Sequence, residues 1–287
     1  MINRGELLWV LEKAYVPEHV APLMESLSGG EAHLLEGYLV LVGQDWSILV
    51  GYPLEPPGRG PQEVLELLRS RFPRDVTWFI GPKVPQQLDR DCLERETDAY
   101  FRIDLGEIGP GQWSPPGRLE AVVRKASQRF RVQRADPFGS AHRRLTDSFL
   151  ATTRLSPRVK ELYLRMPSYL ETQEGGGLLV SAWSAEGRLA AYSVMELGAK
   201  DFSAYLLGCR CREKWAAYAS DLLMAEMIRI SLEMSKSYMN LGLGVTPGIR
   251  RFKEKWGAFP WLPYEMCAWR SHRSATERLV RWLLSLS

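Results

Sequence analysis

Cysteine and histidine are scarce in this chain of 287 residues, which contains four of each. Only Cys209 and Cys211 lie close together, and no two histidines are spaced to share one face of a helix. A zinc site needs closely spaced sets of cysteine and histidine. The sequence therefore predicts no metal held by the protein. If Cys209 and Cys211 both lie on one strand, they point to the same face and are expected to be two small buried thiols.

Long uninterrupted apolar runs are also missing. No stretch reaches the ~18 apolar residues that a membrane-spanning helix needs. The segment Met1–Glu12 contains Glu6 within its apolar run and lacks the small-residue cleavage site of a signal peptide. We therefore expect a cytoplasmic protein. Apolar residues make up 45% of the chain and charged residues 25%, which is ordinary for a globular protein with a sizeable core.

Acidic residues are depleted in the second half of the chain. Residues 1–113 carry 10 basic and 18 acidic side chains, a net charge of −8, whereas residues 114–287 carry 27 and 16, a net charge of +11. An anionic partner of the second half would explain this asymmetry, whether a nucleotide-like cofactor, RNA or an anionic lipid surface. Attraction between the two halves would explain it equally well.

The glycine- and proline-rich stretch Gly106–Gly117 divides the chain. Residues 1–113 predict a small α/β domain. Its strands are expected at Tyr38–Val42, Trp46–Val50 and Val76–Ile80, and its helix at Gln62–Arg71. No phosphate-binding loop is visible there, so we expect this domain to be structural or to bind the acceptor.

Residues 114–287 predict an α+β domain. Three helices, at Arg118–Phe130, Ala141–Leu150 and Pro157–Leu170, precede an antiparallel meander at Leu178–Ser184, Arg188–Glu196 and Phe202–Gly208. A long amphipathic helix from Ser220 to about Lys236 and a strand at Tyr238–Leu241 follow. The predicted fold class is α+β, a mixed sheet flanked by helices.

Two segments of the second half are candidates for ligand binding. Gly208–Asp221 leads from a strand through a basic loop into a helix, whose unpaired N–H groups attract phosphate; any strand-to-helix turn has this form. Tyr238–Tyr264 interleaves basic residues with aromatic ones, which suits an anionic, partly planar ligand. An amphipathic helix with its aromatic side chains in the core is the alternative for the second segment.

Together these segments resemble the C-terminal part of FemAB-type proteins in the GNAT superfamily. The resemblance covers about residues 118–267 and rests on three elements in order: Tyr218-Ala-Ser-Asp-Leu-Leu, Tyr238-Met-Asn-Leu-Gly and Gly248-Ile-Arg-Arg-Phe-Lys-Glu-Lys-Trp-Gly257. It implies a GNAT-like sheet and N-acyl transfer without a metal. A tandem of two GNAT-like halves, with residues 1–113 as a degenerate first half, is one form that it allows.

In GNAT proteins a loop Gln/Arg-x-x-Gly-x-Gly/Ala binds the pyrophosphate of acyl-CoA. The matching positions here read Lys214-x-x-Ala217-x-Ala219, and Ala217 lacks the backbone freedom of glycine. The resemblance implies acyl-CoA or CoA as co-substrate, bound by the residues of this loop and of the flanking strand and helix: Leu207, Gly208, Arg212, Lys214, Ala217, Ala219, Ser220 and Asp221.

Three further residues are expected to take part in catalysis. Lys253 matches a lysine that in FemAB-type enzymes lies near the donor phosphate or the reacting carbonyl, and Asn240 matches a position that faces the acyl chain. Tyr264 is a candidate proton donor to the leaving group. No His/Asp or Cys/His pair is recognisable as a covalent nucleophile, so we expect direct attack by an amine. The strand at Leu206–Gly208 or Lys253 would stabilise the oxyanion.

Two alternatives stay open. Gly248–Tyr264 also resembles the C-terminal domain of MprF-type lysyl-phosphatidylglycerol synthases, so aminoacyl-tRNA is an alternative donor and a lipid or a peptidoglycan precursor an alternative acceptor. The partners would then include tRNA or an anionic membrane surface, but not DNA. A catalytically silent GNAT-fold binding module is the other alternative, which Ala217 favours. The acceptor and the oligomeric state do not follow from the sequence.

Overall fold

A computed structural model describes residues 1–86, 91–109, 111–172 and 175–270 of the chain. These residues form two compact units. Of the described residues, unit 1 contains those in the ranges 1–2, 28–97 and 263–270, and unit 2 contains those in the ranges 3–27 and 98–262. The sequence-based division of the chain after residue 113 stays a prediction.

Eight helices and eleven strands lie within the described residues. In chain order they are α1 (Arg4–Lys13), α2 (Ala21–Ser28), β1 (Glu31–Leu35), β2 (Tyr38–Val42), β3 (Trp46–Val50), α3 (Pro61–Arg71), β4 (Val76–Gly81), β5 (Glu94–Asp104), α4 (Leu119–Ser127), β6 (Phe130–Arg134), α5 (Ser140–Thr152), α6 (Pro157–Leu170), β7 (Gly177–Ser184), β8 (Leu189–Glu196), β9 (Phe202–Arg210), α7 (Ala219–Glu233), β10 (Tyr238–Leu243), α8 (Pro247–Lys255) and β11 (Phe259–Arg270). No helix of the described ranges is long and apolar enough to cross a membrane.

Unit 1 is a mixed sheet covered by a helix. β1, β2 and β3 form an antiparallel meander, β4 runs parallel to β3, and residues 265–270 of β11 pair antiparallel with β4. α3 connects β3 to β4 and buries Val64, Leu65 and Leu68. A disulfide joins Cys92 to Cys267 within this unit. This pair could not be predicted from the sequence, because its members lie 175 residues apart.

Unit 2 has the sheet order β5-β10-β9-β8-β7-β6. The strands β6 to β9 form the predicted antiparallel meander, and β10 runs parallel to β9 and antiparallel to β5. One face of this sheet packs against α4 and α7, and the other packs against α5, α6 and the segment that contains α1 and α2. The mixed sheet flanked by helices agrees with the predicted α+β class.

The helix α7 is the central helix of unit 2. It buries eleven of its fifteen residues, including Leu223, Met227 and Ile228. A helix that is apolar around most of its circumference must be enclosed on several sides, and α7 packs against both α4 and the sheet.

The expectation of two buried thiols on one strand was wrong for Cys211, which is only partly buried. Cys209 is buried in β9 among residues of the α5/α6 side, whereas Cys211 lies beyond the end of the strand and packs partly against the α4/α7 side. The alternation of a strand no longer applies after Arg210, so the two thiols do not share a face.

Candidate active site

The parallel strands β9 and β10 separate at one end. Three residue pairs join them: Tyr238 with Phe202, Met239 with Ser203 and Asn240 with Ala204. Beyond Asn240, β10 continues to Leu243 alongside β5, and β9 continues to Arg210 alongside β8. The carboxyl ends of two adjacent parallel strands therefore border an opening, which is a common place for ligands in sheets of this kind.

Both strands are irregular beside this opening. In β9 the register against β8 shifts so that Tyr205 and Leu207 oppose consecutive residues of β8, which leaves Leu206 as an extra residue. In β10 the register against β5 shifts between Asn240 and Leu243. Such bulges turn backbone groups out of the ladder and are frequent next to active sites.

Gly242 keeps the opening free. Its φ is +72°, in the left-handed region that a residue with a Cβ atom adopts at a cost of ~1–2 kcal/mol. A Cβ atom here would lie 3.8 Å from the carbonyl oxygen of Tyr205 and 3.9 Å from Nζ of Lys253. Gly242 thus lies between the edge of β9 and the amine of Lys253.

Lys253 is buried beside the opening, with only 4% of its surface exposed. It lies on α8, which begins where the Thr246 side chain accepts a hydrogen bond from the N–H of Ile249. Nζ donates to the carbonyl oxygen of Leu243 and lies 5.8 Å from the ring centre of Phe101. Burial lowers the pKa of Lys253 to about 7, although Asp98 acts in the opposite direction. An amine that titrates near neutral pH in such a place is typical of a functional group.

Asp98 holds the loop that precedes α8. Its carboxylate accepts hydrogen bonds from the N–H of Val245 at 2.7 Å, from Ala99 at 2.8 Å and from the guanidinium of Arg250 at 3.1 Å. Val245 has a φ of +54°, which is strained for a β-branched residue. The carboxylate therefore fixes the start of α8, and through it the position of Lys253. This role could not be predicted from the sequence, because Asp98 lies far from α8 in the chain.

Replacing Asp98 by asparagine is expected to loosen residues 243–250. The asparagine amide has one acceptor oxygen in place of the two of the carboxylate, and it lacks the charge that attracts Arg250. This change costs ~1–3 kcal/mol at a buried carboxylate. Hydrogen exchange of this segment should accelerate about tenfold or more. The control Asp104→Asn changes an exposed carboxylate of the same strand, paired with Arg102. Unchanged exchange in Asp98→Asn would contradict the positioning role.

The start of α7 carries most of the predicted cofactor residues. Lys214–Ala216 form one 3-10 turn, and the N–H groups of Ala219 and Ser220 have no acceptor among the described residues. Ala217 has a φ of −58°, so its position does not require glycine. The left-handed residue is instead Tyr218, with a φ of +72°.

The charged residues of this turn differ in their surroundings. Lys214 is exposed. The guanidinium of Arg212 donates to Oγ1 of Thr153 at 2.7 Å and so points toward the end of α5. Asp221 is buried, and its carboxylate accepts from Lys255 and from the indole N–H of Trp256. Asp221 therefore ties α7 to the end of α8.

Not all predicted residues lie in the same unit. Leu207 and Gly208 on β9, Asn240 on β10 and Lys253 all belong to unit 2 and lie along the strands and helix that border the opening. Tyr264 is buried but belongs to unit 1. The roles of all these residues remain proposals.

Asn240 is fully buried where the β9–β10 ladder ends. Its Oδ1 accepts the N–H of Gly242 at 2.7 Å, which stabilises the turn of β10. Its Nδ2 has no hydrogen-bond partner among the described residues. Because buried polar groups are almost always paired in native proteins, this amide is available to a ligand.

A buried His–Ser–Asp group elsewhere in unit 2 has the wrong geometry for a nucleophile. Nε2 of His142 lies 2.9 Å from the Ser181 hydroxyl and 3.4 Å from the Asp136 carboxylate, while Nδ1 accepts the N–H of Gly139. In a catalytic triad the carboxylate and the hydroxyl bind opposite nitrogens. Burial also lowers the pKa of His142. The group is a polar network of the core, which the sequence did not reveal.

In the part of the chain that the structure describes, no set of three or more His, Cys, Asp or Glu side chains is arranged to hold a metal.

No family model matches the chain, and no curated protein matches it significantly. Solved structures do. FemX matches with a TM-score of 0.62 and 11% identity over 92% of this chain and 96% of FemX. The C-terminal domain of a putative lysylphosphatidylglycerol synthetase from Agrobacterium fabrum matches with a TM-score of 0.59 and 12% identity over 97% and 94%. A tandem GNAT protein from the clavulanic acid biosynthesis pathway matches with a TM-score of 0.51 and 13% identity over 83% and 79%.

These likenesses show the fold. The chain has a GNAT-like α+β fold of the type found in FemX and in the lysylphosphatidylglycerol synthetase domain. The predicted fold class and the resemblance on which it rested are confirmed. The arrangement as a tandem of two halves stays a prediction.

Proposed function

We propose that the chain transfers an acyl or aminoacyl group to an amine acceptor at the opening between β9 and β10. The observation that carries this proposal is the position of the buried Lys253 amine beside Gly242, where the parallel ladder has ended. A carbonyl group in the opening would meet a cation on one side and the irregular edge of β9 on the other. Likeness in fold to FemX and to the synthetase domain supports the same class of reaction.

The reaction that we propose is direct attack. The acceptor nitrogen forms a bond to the donor carbonyl carbon, and the carbonyl oxygen becomes an oxyanion. The ammonium form of Lys253 and backbone N–H groups at the β9 bulge would stabilise that charge. The bond to the leaving thiol or hydroxyl then breaks, and the proton lost by the amine ends on the leaving group. The step requires no covalent enzyme intermediate.

We propose acyl-CoA as the first candidate donor, with its pyrophosphate at the start of α7. The free N–H groups of Ala219 and Ser220 and the exposed amine of Lys214 support this placement. Ala217 does not count against it, since a φ of −58° is open to alanine. The carboxylate of Asp221 is occupied by Lys255 and Trp256, so its contribution would be to hold the turn rather than to touch the donor.

Aminoacyl-tRNA is the second candidate donor. It is favoured by the extent of the structural likeness, because the matches to FemX and to the lysylphosphatidylglycerol synthetase domain extend over more than nine-tenths of each chain. The second of these names describes transfer of a lysyl group to a lipid. The net charge of +11 in residues 114–287 suits tRNA or an anionic membrane surface. For either donor we propose a cytoplasmic location.

Thermal shift measurements with acetyl-CoA, longer acyl-CoAs, free CoA and aminoacylated tRNA test the donor. A ligand at a hundred times its Kd stabilises the folded state by about 2.7 kcal/mol, which is readily measured. A shift with CoA species that Lys214→Gln reduces, and that the exposed control Lys160→Gln does not, supports acyl-CoA. A shift with aminoacylated tRNA alone supports the second donor. No shift with any of them would contradict the proposal and favour a silent binding module.

A further inference from the structure

A set of polar side chains lies on one face of β5 and β10. Alternation turns Phe101 and Ile103 of β5 into the core under α4 and α7, so Tyr100 and Arg102 point to the opposite face. Asn240 of β10 lies directly across from Arg102 and shares that face. This is the face that the segment containing α1 and α2 covers.

The segment between α1 and α2 places a carboxyl group on this face. Glu18 lies in the 3-10 turn Pro17–His19, and its carboxyl group interacts with the hydroxyl of Tyr100. Its Oε2 is buried and has no hydrogen-bond partner among the described residues. The segment is fixed in place, because the carbonyl oxygen of Tyr15 accepts a hydrogen bond from the Tyr238 hydroxyl at 2.9 Å. Burial raises the pKa of Glu18.

Trp261 of β11 borders the same region. Its indole N–H is buried and, within the described ranges, has no partner. The guanidinium of Arg102 lies 4.7 Å from the centre of this indole and 5.4 Å from that of the Tyr238 ring, and its Nε lies 2.8 Å from the Asp104 carboxylate. Arg102 is thus held by aromatic rings and by a carboxylate, and it forms a fixed wall of the region.

Three buried groups on this face therefore lack partners: two donors, on Asn240 and Trp261, and one acceptor, on Glu18. Native proteins pair nearly all of their buried polar groups, so three such groups on one face of the sheet point to a small molecule that binds there. Neighbouring strands lie ~5 Å apart and alternate residues of a strand ~7 Å apart, so one small molecule can reach across. It must offer an acceptor to the two N–H groups and a donor to the carboxyl group.

We propose that this pocket of Glu18, Tyr100, Asn240 and Trp261 binds a small ligand that carries an ammonium group beside a carbonyl or similar acceptor. The ammonium group pairs with Glu18 against the ring of Tyr100, and the acceptor oxygen meets the N–H groups of Asn240 and Trp261. Asn240 is also the residue at which the β9–β10 ladder ends, so the pocket reaches the opening from the face opposite α7. The inference rests on the proposed function, since the ligand is either the amine acceptor or an aminoacyl group of the donor.

Calorimetric titration of the full chain with L-alaninamide, L-lysinamide and N-acetyl-L-alaninamide tests the pocket. The two amides with a free ammonium group are expected to bind at least about tenfold more tightly than the acetylated one. Glu18→Gln keeps the shape and removes the charge, so it should abolish this preference and leave binding of the acetylated amide unchanged. Trp261→Phe, which removes only the N–H and some ring area, should weaken all three. The control Glu12→Gln alters an exposed carboxylate paired with Lys200 and should change nothing.

Lack of binding by either free amide at millimolar concentration would overturn the proposal, and so would a Glu18→Gln protein that keeps the preference. Release of CoA on adding a free amide to the protein with acetyl-CoA identifies the pocket as the acceptor site. Binding without release of CoA, together with turnover of an aminoacylated tRNA, identifies it as the site of an aminoacyl group. Binding without turnover of any donor would contradict the proposed function and leave the pocket standing. Turnover in which Glu18→Gln leaves the KM for the amine unchanged would contradict the pocket and leave the proposed function standing.

Discussion

Replacing Lys253 by methionine is expected to lower kcat/KM by about 10²- to 10³-fold while the protein stays folded. Methionine keeps the length and the apolar stem of lysine and removes only the amine beside Gly242. The described contacts of Nζ are one hydrogen bond to the Leu243 carbonyl and the face of the Phe101 ring, and burial disfavours the charged amine, so the variant should be no less stable than the parent at pH 7. Initial rates across donor concentrations, together with urea unfolding, separate the two effects.

The matched control is Arg251→Met, which removes an exposed charge from the same helix. It should leave kcat/KM within about twofold, because surface charges of α8 that do not face the opening contribute little to chemistry there. Equal activity losses in the two variants would assign the effect to the overall charge of α8 and would remove Lys253 from the mechanism.

The pH dependence of the same residue offers a separate test. Burial lowers the pKa of Lys253 to about 7, so the free protein loses the ammonium form as pH rises through that value. If the cation stabilises the oxyanion, kcat/KM should decline above about pH 7, and Lys253→Arg, which stays charged, should lack this decline. In the unfolded chain the pKa of this lysine is ~10.4, so between about pH 7 and ~10.4 the unfolded state binds one more proton than the folded state. The free energy of unfolding therefore rises with pH across this range and falls again as pH is lowered. Lys253→Met should lack that slope.

Replacing Gly242 by alanine is expected to reduce turnover by at least tenfold. The new methyl group would lie between the Tyr205 carbonyl and the Lys253 amine, in ordinary van der Waals contact with both, and would fill the space proposed for the reacting carbonyl. The φ of +72° adds a backbone cost of ~1–2 kcal/mol. Steady-state kinetics and thermal unfolding measure the two consequences.

Gly187→Ala is the control that separates the backbone strain of Gly242→Ala from the filling of the opening by its methyl group. Gly187 has a φ of +75° in the turn between β7 and β8, and a Cβ atom there would meet nothing within 4 Å. It should therefore lose the same stability as Gly242→Ala and keep its turnover. If both variants keep full turnover, the opening at Gly242 is not where the chemistry takes place.

The two candidate regions lie on opposite faces of one sheet. The start of α7 and Lys253 are on the α4/α7 side, and Glu18 and Tyr100 are on the side of α1 and α2. The opening beyond Asn240 is where the ladder between β9 and β10 no longer closes the sheet. A donor and an amine that approach from opposite faces would meet there, which is the geometry that direct transfer requires.

Local signals in the sequence were sufficient for the meander of unit 2 and for its long helices. The turn at Gly187 and the cap formed by Ser156 before Pro157 are short-range features whose chemistry is complete within a few residues. The helix α1 was not predicted, although Asn3 and Glu6 form a capping box, because the helix shows little amphipathic pattern. The strand β5 was not predicted either, because its first half is charged and exposed and shows no alternation.

By itself, the sequence determined the α+β class, the meander and the basic, aromatic-rich segment that contains Lys253, because each depends on periodicity or on a run of neighbouring residues. Tertiary structure decided the rest. The low pKa of Lys253 arises from burial, the role of Asp98 from a loop distant in sequence, and the pocket of Glu18 from strand pairing that brings Tyr100 near Asn240. Desolvation and hydrogen-bond pairing are properties of surroundings, and only the folded chain supplies them.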